Sequence, residues 1–86
     1  MHHATDAALD RLDELLQQVR RRHPGLKERT RGAFYRGGQG WLHFHEDPAG
    51  LFADLKIAGA WSRQPVNSAA ERKVLLGRLA KTLGDD

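Results

Sequence analysis

The stretch Gly40-Trp41-Leu42-His43-Phe44-His45-Glu46-Asp47-Pro48-Ala49-Gly50-Leu51-Phe52-Ala53-Asp54-Leu55-Lys56-Ile57 decides the fold. It reads as two alternating runs joined by a turn. Asp47 supplies a side-chain acceptor, Pro48 a fixed φ, and Gly50 a residue free to take positive φ, which is the chemistry of a hairpin turn. Before the turn Leu42 and Phe44 alternate with Trp41, His43 and His45; after it Leu51, Ala53, Leu55 and Ile57 alternate with Phe52, Asp54 and Lys56. Period two marks strands with two different faces.

Two registers compete. Pairing Glu46 with Leu51 sets Phe44 opposite Ala53 and Leu42 opposite Leu55, with His43 beside Asp54, His45 beside Phe52 and Trp41 beside Lys56. Pairing Asp47 with Leu51 mixes polar and apolar groups on both faces. A one-residue slip turns every side chain over, so the register with one purely apolar face is preferred.

Outward from the hairpin, Arg29 to Arg36 reads as a preceding strand, with Gly37-Gly38 as a two-residue turn. That turn places Phe34 on the face of Trp41 and His43. Earlier still, Leu9, Leu12, Leu15, Leu16 and Val19 form one stripe of a helix expected from Asp6 to Arg22, with Thr5 or Asp6 as its cap and Pro24-Gly25 as its stop. On the C-terminal side, residues 58–67 read as a connector whose Trp61 plugs the core. Ser68-Ala69-Ala70-Glu71 matches a capping box opening a helix from Ala69 to Leu83, with Leu75, Leu76, Leu79, Ala80 and Leu83 on one face. The expected architecture is a single α+β domain over residues 1–86. Its order is helix, three-stranded antiparallel meander, helix (αβββα), with both helices on one sheet face and residues 1–5 without fixed order.

The chain has 86 residues, no cysteine and a net charge of +3. Disulfide staples and thiolate chemistry are excluded, and a cytoplasmic location is expected. No apolar run approaches the roughly 18 residues that span a bilayer, so no membrane association is expected. The charge is local: between Arg20 and Arg36 lie seven Lys and Arg residues against Glu28 alone.

The block Trp41-Leu42-His43-Phe44-His45-Glu46-Asp47-Pro48, followed by Ala53-Asp54-Leu55 and a C-terminal helix, resembles the signature of a small family of uncharacterised bacterial domains. The resemblance covers about half of the chain and implies no activity, cofactor or partner. Element order alone also gives a distant likeness to the MmcQ/YjbR-like domains.

Four functional readings follow. The leading one is a small interaction module, homodimeric or binding another protein, that uses the sheet face carrying Trp41, His43, His45, Phe52 and Asp54. A second is nucleic-acid binding through Arg20, Arg21, Arg22, Arg29 and Arg31, with rings stacking on unpaired bases. A third is a divalent-metal site, with zinc as the candidate, at His43, His45 and Asp54. Acid–base catalysis by His43 and Asp54 is the fourth and is not expected, because no nucleophile accompanies the pair and a domain this small has little room for a pocket.

Overall fold

The computed structural model describes residues 2–84. The chain runs β1 (His2–His3), α1 (Asp6–Arg11), α2 (Asp13–Arg22), β2 (Lys27–Thr30), β3 (Ala33–Arg36), β4 (Gln39–Asp47), β5 (Gly50–Ile57), β6 (Ala60–Pro65) and α3 (Ala69–Thr82). It is an α+β domain with an antiparallel sheet, as expected. The meander is longer than the three strands expected: β2 to β6 pair in chain order, and β1 adds to β4 beyond the point where β3 ends.

The central hairpin adopts the preferred register, with Leu42↔Leu55, His43↔Asp54, Phe44↔Ala53, His45↔Phe52 and Glu46↔Leu51. Pairing continues to Asp47↔Gly50, leaving Pro48 and Ala49 as the loop. Asp47 Oδ1 accepts from the Ala49 amide at 2.7 Å, and Gly50 takes φ +133°. The apolar register wins because Leu42, Phe44, Leu51, Ala53 and Leu55 all enter one core cluster with Leu9, Leu12, Leu15, Leu16, Val19, Leu75, Leu76 and Leu79. Both helical layers therefore cover the same sheet face.

Three departures from expectation have local causes. The first helix is two segments meeting at Leu12 (φ −100°, ψ 8°), where the amide turns to the Leu9 carbonyl in a tightened turn. Arg31 splints the break from outside: it donates to the Asp6 carbonyl and to Asp10 Oδ1 (2.8 Å) and lies 3.8 Å from Asp13. Next, Arg29 to Arg36 is not one strand, because Arg31-Gly32 turns the chain and Gly32 takes φ +80°. A Cβ at Gly32 would sit 2.7 Å from Leu9 Cδ2, so the turn packs directly on the core.

The third departure is at residues 58–65, which form strand β6. Ala58 (φ 51°) and Gly59 (φ 81°) make a two-residue turn of the type I′ kind, whose twist matches the strands it joins. After β6, Asn67 acts as a surrogate strand residue: its side chain accepts from the Leu51 amide and donates to the Leu51 carbonyl. Ser68 and Glu71 then form the capping box of α3.

Residues 2–5, expected to lack order, are placed. His2 and His3 pair with Glu46 and His45, Ala4 donates to the Phe44 carbonyl, and Thr5 Oγ1 caps α1 at the Ala8 amide. Among the described residues no helix is long and apolar enough to cross a membrane.

Candidate functional site

Strand alternation puts His43, His45, Phe52 and Asp54 on the sheet face away from the helices, as the sequence predicts. Their internal pairing differs from expectation. Asp54 lies directly opposite His43, yet it is His45 that reaches it, with Nε2 3.0 Å from Asp54 Oδ2. This is a diagonal contact of the sort antiparallel pairs allow to long side chains. Arg63 of β6 donates from Nε to the other carboxylate oxygen at 3.3 Å, so Asp54 is held from both sides.

His43 is thereby free of the carboxylate and sits in a row of rings. Its ring centroid is 5.7 Å from that of Tyr35 and 5.0 Å from that of Trp61. Burial, and secondarily the charges of His45 and His3, hold its pKa below the ordinary value, so the ring is neutral at neutral pH. Nε2 is buried without a hydrogen-bond partner and faces Gly40, where an added Cβ would stand only 3.1 Å from it. Glycine at position 40 is what lets the ring lie this close to the strand.

The two tryptophans exchange the roles the sequence assigns them. Trp41 does not join His43. A bulge inserts it between the pairs Phe34↔Leu42 and Tyr35↔Gly40, and it turns to the helix side, where its indole Nε1 donates to Thr82 of α3 at 3.1 Å. The same bulge moves Phe34 from the open face into the core, where it is fully buried opposite Leu42. Trp61, expected as the core plug, stands on the open face, 47% exposed, leaning across β5 toward His43.

Cations accompany these rings. The Arg29 guanidinium lies 5.0 Å from the Tyr35 ring centroid and the Lys56 ammonium 4.5 Å from that of Trp61. Tyr35, Trp61 and Arg63 therefore join Lys56 in the site, although the sequence reading gave Trp61 to the core and did not name Tyr35 or Arg63 on this face. A signal for two of them existed. Ala58-Gly59 can turn a hairpin, and beyond it Trp61 and Arg63 occupy alternate positions of one strand.

The basic segment does not form one surface. Arg20 makes a two-pronged pair with Glu28 (2.6 and 2.9 Å), whose pKa that bond lowers, and Arg31 is committed to Asp6, Asp10 and Asp13. Arg21 and Arg22 are exposed on α2, and only Arg29 reaches the sheet face through its contact with Tyr35. For a metal the donors do not converge: His45 is paired with Asp54, the His43 centroid is 6.4 Å from that of His45, and among the described residues no three His, Asp or Glu side chains are grouped as ligands.

Two cavities, of about 370 and about 220 Å³, are lined from the helices and the α2–β2 connection, the larger by Leu15, Arg22, Arg72 and Leu76 among others. None of their lining residues belongs to the histidine face. Comparison with protein-family models, with curated proteins and with solved structures finds no match to this chain.

Proposed function

We propose that the protein is a small interaction module that engages its partner on the open sheet face, centred on Tyr35, His43 and Trp61. The observation that carries this reading is Trp61. A large ring 47% exposed, and set against a neutral histidine rather than against the core, contributes little to folding and much to a contact surface. The face around it has the composition of a binding patch, with rings at its middle and Arg29, Lys56 and Arg63 beside them.

The test is site-directed photo-crosslinking in cell extract, with a photoreactive residue in place of Trp61 or, as the comparison, in place of Val74, which is equally exposed on α3. Adducts at position 61 in excess of those at 74 are expected, whether with a second copy of the chain or with another molecule. No excess at position 61 overturns the reading.

A further inference from the structure

We infer that the partner of this face is a single-stranded nucleic acid, its unpaired bases stacking on Trp61 and Tyr35 and its phosphates meeting Lys27, Arg29 and Lys56. The inference rests on the preceding reading of the face and specifies its ligand. It also moves nucleic-acid recognition away from the helix end, where Arg20 and Arg31 are consumed by carboxylates, to the opposite side of the molecule.

Three observations converge on it. Trp61, His43 and Tyr35 form a continuous row running from β6 over β5 and β4 to β3, with successive centroids 5.0 and 5.7 Å apart. The outer two rings can each take a base, and stacking of this kind is indifferent to sequence because every base has a π face.

The cations are attached to those same rings: Arg29 lies on Tyr35, Lys56 on Trp61, and Lys27 is paired across from Tyr35. A base stacking on either ring takes the place of the cation over it and brings its own phosphate into that cation's reach. The facing charge is unbalanced, because Asp54 is already paired with Arg63 and in contact with His45, and Asp47 is at the distant hairpin tip, bonded to the Ala49 amide.

The third observation separates nucleic acid from protein and single strand from duplex. The core of a protein interface is depleted of lysine, whereas here Lys56 lies over the largest exposed ring of the face. A duplex hides its base faces and is read by an element that enters a groove, and a strand face of this kind presents rings to bases that are already unstacked.

The test is filter binding of the whole chain to short labelled single strands of RNA and of DNA, and to the duplex of the same sequence, at ~50 and ~200 mM salt. Single strands bind and the duplex binds more weakly, and with about three phosphate contacts the higher salt weakens binding about 20-fold. Trp61→Ala and Tyr35→Ala each lower affinity about 5- to 100-fold with the salt slope unchanged, and Trp61→Phe restores most of it. Lys56→Ala and Arg29→Ala lower both affinity and slope, and Arg21→Ala, on α2, changes neither. RNA against DNA at equal length tells which polymer is the ligand.

Absence of binding at ~50 mM salt overturns the inference, as does an equal loss with Arg21→Ala and Trp61→Ala. Crosslinked adducts at position 61 that survive nuclease would leave the interaction face standing and remove nucleic acid as its ligand. Absence of any excess adduct removes both.

Discussion

Phe44 and Phe52 are eight positions apart on the two strands of one hairpin, and they face opposite ways. Phe44 is fully buried against both helical layers, while Phe52 shares the outer face with His45, its cross-strand neighbour, and is only half-buried. The same side chain on the same pleated surface serves as core on one side and as part of a contact surface on the other. What separates them is the register alone, which in turn is set by which parity of residues can be apolar throughout.

The comparison can be broken most forcefully by truncation. Phe44→Ala is expected to cost about 3–5 kcal/mol, whereas Phe52→Ala should cost under ~1 kcal/mol, both read from urea midpoints at unchanged m. Equal losses would mean that the outer face is a second core and not a surface held for a partner.

A smaller effect sharpens it at the turn that delivers Trp61 and Arg63 to the outer face. Ala58 holds φ 51°, a conformation that strains an L-residue with a Cβ, and Ala58→Asn creates the Asn-Gly pair that such turns prefer. A gain of about 1 kcal/mol in thermal unfolding is expected; a loss would mean that Ala58 is held by contacts other than the turn.

The smallest effect is one of pH, and it belongs to His43. Burial, with the charges of His45, His3 and Lys56 opposing the attraction of Asp54, keeps its folded pKa below its ordinary value near 6.5. The unfolded chain therefore binds more protons around that pH, so stability is complete above about 6.5 and declines as pH falls toward the depressed folded value. His43→Phe, which keeps a ring and cannot take the proton, should flatten unfolding midpoints between pH ~7.5 and ~5.5. An unchanged slope would place the titration elsewhere.

The hairpin register, the cap signals at Thr5 and Ser68, the helix stop at Pro24, and the leucine stripes were legible because each rests on a local rule that nothing else in the chain overrides. The outer face was legible at His43, His45, Phe52 and Asp54 for the same reason. It failed at Trp41 and Phe34 because a bulge adds one residue to a strand without any mark in composition, and that single insertion reversed the side on which both rings lie. The division at Leu12 left no glycine or proline to read, and its outside splint, Arg31, comes from a turn 19 residues further along.

The exchange of the two tryptophans gives the protein a pair of independent optical reporters. Trp41, anchored to Thr82, emits from an environment that only unfolding changes, whereas Trp61 emits from the water-facing side that a bound molecule would quench. With either one replaced by phenylalanine, the remaining indole follows folding or occupancy alone, so one chain can be assayed for both without a label.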